Sequence, residues 1–164
     1  MRPQPHPSGP GQESVWAYPR PPRLEPTPRL IEIRFNGLLL AQTQRAYRVL
    51  ETSHPPVYYL PPSDVQMAYL RPAGRTTFCE WKGQGHYFHV QVGDRCAENA
   101  AWHYPHPTPP FAPIAGYLAF YPRPMDSCTV DGEPVQPQPG GFYGGWITAD
   151  IVGPFKGEPG TAAW

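Results

Sequence analysis

Proline decides what this chain cannot become. There are 26 Pro and 16 Gly among its 164 residues, about a quarter of the chain, and each Pro fixes φ and removes a backbone donor. A level this high normally points toward disorder. Here 5 Trp, 10 Tyr and 7 Phe, with short runs of Val, Ile and Leu, argue for a packed core instead. Almost no helical period survives along the chain, whereas short apolar runs and turn signals recur at regular spacing. The expectation is an all-β fold. It is antiparallel, because hairpin signals dominate and no βαβ unit is visible.

The chain divides into three parts. Residues 1–28 form a Pro-rich extended arm, disordered over its first dozen residues, with Trp16 and Tyr18 available to pin its second half. Residues 29–122 form the β domain. Residues 123–164 form a Gly- and aromatic-rich extension, too apolar for a solvated tail, that wraps onto the domain or onto a second subunit. Within the domain, Ile31, Ile33 and Phe35 alternate with Glu32 and Arg34, the pattern of a half-buried strand. Asn36-Gly37 then turns it into Leu38–Leu40 through a type I′ hairpin. Thr43–Glu51 is ambiguous between strand and short helix, and Val57–Leu60 reads as a buried strand. Ser63, with Gln66 three residues on, resembles a capping box for a short helix over Asp64–Leu70. Arg75–Trp81, His86–Val92, Arg95–Trp102 and Ile114–Tyr121 read as strands, with Gly116 allowing close backbone approach. Asp131-Gly132 predicts a small hairpin of Cys128–Val130 and Glu133–Val135.

Charge excludes several function classes. Thirteen basic residues balance 13 acidic ones, and the basic residues are scattered, so there is no electrostatic footprint for nucleic acid or an anionic membrane. No apolar run approaches the roughly 20 residues that span a bilayer. The polar, Pro-rich start lacks the apolar centre of a signal peptide. A soluble, cytoplasmic protein is the expectation. Cys79, Cys96 and Cys128 form neither a disulfide framework nor a CxxC knuckle, and read as small buried thiols. No metal and no cofactor are expected. His86-x-x-His89 does not change this, because strand positions three apart point to opposite faces.

Three blocks bounded by Pro or Gly carry the chemistry: Glu51–Tyr59, Cys79–Gly83 and Glu98–Pro105. Each sets ionisable groups beside aromatics where a strand meets a loop, which is the make-up of a small-ligand pocket. The expected ligand-binding set is Glu51, His54, Tyr59, Trp81, Lys82, Tyr87, Trp102 and Tyr104. Each has a plainer reading. Trp81 and Trp102 serve equally as core residues between sheets, and Tyr87 is either on a groove or simply wet. His54 is pushed to extended geometry by the following Pro, which holds it near Glu51 for acid–base work or for a polar ligand; the plainer reading is a surface His with a carboxylate neighbour. Catalytic candidates are Glu51, His54 and Cys79. No phosphate loop, GxSxG or zinc-protease motif occurs.

The stretch from Ile31 to Tyr121 resembles the family called domain of unknown function 427. The matching residues are Phe35-Asn36-Gly37, Arg45-Ala46, Val49–Thr52, His54–Tyr59, Asp64-Val65, Cys79, Trp81-Lys82-Gly83, Glu98–Trp102, Tyr104-Pro105 and Ile114–Tyr121. The arm Glu13–Arg23 and the tail segments Gly140–Thr148 and Phe155–Gly157 are similar to an extended, cyanobacterial-type form of the family found in photosynthetic lineages. The resemblance implies a β-tent, two antiparallel sheets packed at a steep angle, as in methionine sulfoxide reductase B and the ligand-binding domain of cereblon. Many β-tents hold zinc with two CxxC pairs, which are missing here. Cereblon-type domains bind a small ring in an aromatic cage, a role that would suit Trp81, Trp102 and the tyrosines. Three functions follow as expectations. The first is binding of an unidentified small molecule in an aromatic groove. The second is a hydrolase or thiol enzyme. The third is an accessory protein whose tail docks on a partner, a second copy or a photosynthetic assembly.

Overall fold

The computed structural model of the protein describes residues 2–164. Its strands run β1 (Glu13–Ser14), β2 (Arg23–Thr27), β3 (Ile31–Phe35), β4 (Leu38–Thr43), β5 (Ala46–Leu50), β6 (Val57–Tyr59), β7 (Leu70–Cys79), β8 (Gly83–Val92), β9 (Arg95–His103), β10 (Ala119–Phe120), β11 (Ser127–Val130), β12 (Glu133–Pro134), β13 (Gln136–Pro137), β14 (Trp146–Ile147) and β15 (Ile151–Val152). The helical pieces among the described residues are short 3-10 turns. The fold is all-β. Two four-stranded antiparallel sheets, ordered β12-β11-β3-β4 and β10-β9-β8-β7, are joined by a three-stranded sheet, β2-β5-β6. One pair departs from the antiparallel expectation: β1 and β15 run parallel.

Turn chemistry sets the register. Asn36 and Gly37 have φ of 48° and 80°, and Asp131 and Gly132 have 49° and 81°, as type I′ hairpins require. The first turn is tied further by the Asn36 amide donating to the Val92 carbonyl at 2.9 Å and by Gly37 N–H donating to Asp126 Oδ2 at 2.8 Å. Thr43–Glu51 resolves as strand, with Ala46–Leu50 pairing on both sides, to β2 and to β6. Two segments outside residues 29–122 take part in the sheets: β2 lies beside β5, and β11 pairs with β3 over Ser127–Val130. Residues 2–12 form no strand or helix. Contacts such as His6 N–H donating to the Gly153 carbonyl at 2.9 Å hold them to the body.

Several local expectations are corrected. Asp64–Leu70 is not a helix. Two separate 3-10 turns, Pro62–Asp64 and Met67–Tyr69, occupy it, and Ser63 caps neither. The Pro61-Pro62 pair opens a turn too short to propagate. Ile114–Tyr121 is strand only at Ala119–Phe120; Pro109–Ile114 is a 3-10 turn. Its Pro residues supply no ladder donors, and Gly116 has open space around its missing Cβ rather than close backbone. The strand expected over His86–Val92 begins earlier, at Gly83, and its pairing with β9 shifts register between Phe88 and Val90. Of the cysteines, only Cys128 is buried; Cys79 is half-buried and Cys96 exposed.

The main core lies between the two four-stranded sheets, around Ile31, Ile33, Phe35, Leu60, Val90, Leu118 and Phe120. Trp146, from the far end of the chain, is 1 % exposed within it. A second, aromatic cluster forms on the other face of β8 and β9, from Tyr59, Tyr87, Trp102, Tyr104, Phe111 and Ile114. That second cluster floors the site described next. No helix among the described residues is long and apolar enough to cross a membrane.

Candidate functional site

The aromatic cluster opens into a cleft of about 370 Å³, at the small end of the range for ligand pockets. Strand pairing explains why the aromatics meet. Tyr87 on β8 lies opposite Trp102 on β9, so both project to one face, with ring centroids 6.0 Å apart. Tyr121 packs on Trp102 at 4.7 Å, and Tyr59 from β6 faces Tyr104 at 6.3 Å. The turn after β7 brings in Trp81 and Lys82. The segment after β5 brings in Glu51 and His54. All the ligand-binding candidates, Glu51, His54, Tyr59, Trp81, Lys82, Tyr87, Trp102 and Tyr104, line this one cleft, and so does Cys79.

Sequence reasoning missed the fourth wall, which comes from the C-terminal extension: Gln138, Tyr143, Gly144 and Lys156. The strap lies flat because of its glycines. A Cβ on Gly144 would collide with the Trp102 indole, and one on Gly145 would sit 2.6 Å from Pro55 Cγ. Backbone bonds fasten the strap to the Ser53–Pro56 segment. Trp146 N–H donates to the Pro56 carbonyl at 2.8 Å, and Lys156 N–H to the Ser53 carbonyl at 2.9 Å. The Gly-Gly pairs were the available signal: paired glycines beside aromatics mark backbone that must approach a ring closely.

Gln138 fixes the protonation of His54. Its side-chain oxygen accepts from Gly145 N–H at 3.1 Å and its nitrogen donates to the Lys156 carbonyl at 2.8 Å, which orients the amide without ambiguity. That same nitrogen is 3.0 Å from His54 Nδ1. Nδ1 must therefore accept, and the proton of the neutral ring sits on Nε2. His54 is only 8 % exposed. Burial pushes its pKa down to about 3, helped by the Lys156, Arg20 and Lys82 cations. The Nε2 edge faces Glu51 Oε2 at 3.7 Å, beyond hydrogen-bond distance. Glu51 is engaged instead by Arg20 at 3.2 Å. Tyr143 completes the ring's surroundings, edge-on at 4.8 Å.

The remaining polar groups are mostly donors. Burial raises the phenol pKa values of Tyr59, Tyr104 and Tyr121, so all three stay neutral. Lys82 is 9 % exposed, with its ammonium 5.6 Å from the centre of the Tyr104 ring and 5.9 Å from that of Phe111. Lys156 lies 5.6 Å from the Tyr143 ring and donates to the Trp164 carbonyl at 3.3 Å. Among the described residues, no three His, Cys, Asp or Glu side chains gather as a metal site requires. His89 lies beyond the register shift in β8, where its Nδ1 accepts from Asn99 N–H at 3.0 Å. Behind the Tyr121–Gln138–Tyr143 partition is a second depression, whose Asn99 Oδ1 is buried without a partner.

The model of the family described as Domain of unknown function (DUF427) matches residues 23–131. The chain belongs to this family. No curated protein matches it. The matched span of this DUF427 member holds the aromatic floor of the cleft and both Glu51 and His54. The strap residues Gln138, Tyr143, Gly144 and Lys156 lie beyond it.

Proposed function

We propose that this DUF427 protein binds a small molecule in the aromatic cleft, and that binding rather than turnover is its task. The observation that carries this reading is the state of His54. A general base needs a free lone pair facing the substrate, and the lone pair of His54 is spent on Gln138. What His54 presents to the cleft is an N–H, a fixed donor. Glu51 is likewise committed to Arg20. A donor-lined aromatic wall that is assembled before any ligand arrives favours recognition, because little ordering remains to be done on binding. Cys79 lines the same cleft as a half-buried thiol.

The test is a screen of small aromatic fragments by heteronuclear NMR. The expected shifts cluster on the Trp102 indole, Tyr87 and the His54 ring, and Trp102→Ala abolishes them. Shifts confined to other surfaces, or none at millimolar fragment, would end this reading.

One feature favours a second reading, a partner surface around the cleft mouth. Phe78 and Phe142 are 78 % and 56 % exposed, and both are at the cleft. Large apolar side chains held in water at a rim suit a protein or second-copy contact. Sedimentation of the wild type against Phe78→Ser/Phe142→Ser tests it. Identical mass for both, with no partner retained preferentially by the wild type, removes it.

A further inference from the structure

We propose that the cleft selects an aryl anion, a planar ring bearing a carboxylate or phosphate, with the anionic group on the Lys82 ammonium and the ring against Trp102 and Tyr87. This rests on the small-molecule reading above and names the class of ligand. Lys82 carries the argument. It is nine-tenths buried and lines the cleft, yet its ammonium makes no ion pair and no side-chain hydrogen bond among the described residues. Its neighbours are the faces of Tyr104 and Phe111. Cation–π contact with two ring faces leaves the three ammonium donors without an acceptor from the protein. The stem is what is buried; the ammonium tip reaches the cleft with no protein acceptor on it among the described residues.

The cleft does not supply that acceptor. Glu51 is held by Arg20, and Glu80, the other lining carboxylate, is exposed. The remaining groups add to the same demand. Lys156 is a second cation on the wall, and His54 presents an N–H. The buried Tyr59 and Tyr104 phenols are neutral and can donate. A ligand meeting this surface gains most by bringing an acceptor with negative charge, since charge-assisted hydrogen bonds are roughly twice as strong as neutral ones. The ring follows from the aromatic lining, the Trp102–Tyr87–Tyr121 wall with half-buried Trp81 and Tyr143 beside it, against which a planar ligand packs by face or edge. The volume, about 370 Å³, suits one ring with its substituents rather than a polymer.

The experiment titrates the full chain at low ionic strength with three probes of similar shape: benzoate, phenyl phosphate and the neutral benzamide. Binding is read from Trp fluorescence and from the Trp102 indole resonance. The expected result is that at least one anion binds about tenfold more tightly than benzamide, roughly the contribution of one charge-assisted hydrogen bond. The better anion identifies carboxylate or phosphate as the natural headgroup. In Lys82→Met, which keeps the apolar stem, the preference for the anion over benzamide disappears. Benzamide binding the wild type as tightly as both anions would overturn the charge selection and leave the small-molecule reading standing. An anion preference that survives in Lys82→Met would overturn the role of Lys82. No binding by any probe would overturn both readings. The wild-type comparison needs no variant, so a poorly folded Lys82→Met still leaves the proposal open to refutation.

Discussion

His54 concentrates the chemistry of the site in one ring, and its predicted behaviour has a definite sign. Its folded pKa is about 3, below the ordinary value near 6.5. The unfolded chain therefore takes up a proton at this position before the folded protein does. Stability from this group is complete above about pH 6.5 and is lost as the pH falls from there toward 3, by up to about 1.4 kcal/mol per pH unit. Urea melts at pH 7, 5 and 4 measure this loss, and His54→Asn flattens the difference between them. Nitrogen NMR of the wild type at pH 7 finds the proton on Nε2; a proton on Nδ1 would contradict the Gln138 geometry. Gln138→Leu strands the Gly145 N–H and the Lys156 carbonyl together with His54 Nδ1. It lowers stability by about 1–3 kcal/mol or more and raises the His54 pKa, since the ring can then protonate without facing a donor.

At the scale of elements, the strap is the piece whose fit is tightest. Gly144→Ala drives a methyl into the Trp102 indole, whereas Gly141→Ala meets nothing within 4 Å. The first is expected to cost about 1–3 kcal/mol and to speed amide exchange at Trp146. The second stays near the wild type in both readouts. The contrast also indicates what the sequence could convey. Asn36-Gly37 and Asp131-Gly132 were legible because a positive φ at two successive residues is a local demand that few residue pairs meet. The three candidate blocks were legible for a related reason: strand ends bounded by Pro and Gly must meet at loops. Ile114–Tyr121 misled because an apolar run reports burial without reporting backbone state, and Pro109, Pro110 and Pro113 turned its start into a 3-10 turn. The register shift after Phe88 was illegible, since nothing local distinguishes the bulged residue. Gln138 and Lys156 were illegible as site residues because they meet His54 only through the path of the strap, a contact between residues 84 positions apart in one case.

At the scale of the molecule, the two ends of the chain stabilise each other and the core together. The Trp16 indole N–H donates to the Pro154 carbonyl at 2.9 Å, and its ring meets Trp164 edge-on at 5.4 Å. Glu13 N–H donates to the Asp150 carbonyl at 2.8 Å as β1 pairs with β15. Trp146 fills the main core beside Tyr58, at 5.2 Å, and donates to the Phe120 carbonyl at 3.0 Å. Ordering so many Gly and Pro residues has an entropic cost, and Trp146 is the residue best placed to offset it. Trp146→Ala should cost roughly 3–5 kcal/mol, lowering the melting temperature by roughly 10 °C or more. Truncation after Val135 is the more searching experiment. It leaves β11 paired with β3, so the four-stranded sheet keeps its members, but it removes the Trp146 anchor, the strap and the partner of β1 at once. The expected product melts lower than the full chain and exchanges the amides of Glu13–Tyr18 rapidly, although none of those residues was altered. If the truncated chain kept the full melting temperature and the arm kept its protection, the two ends would be independent, and the strap would not be what holds the cleft in shape.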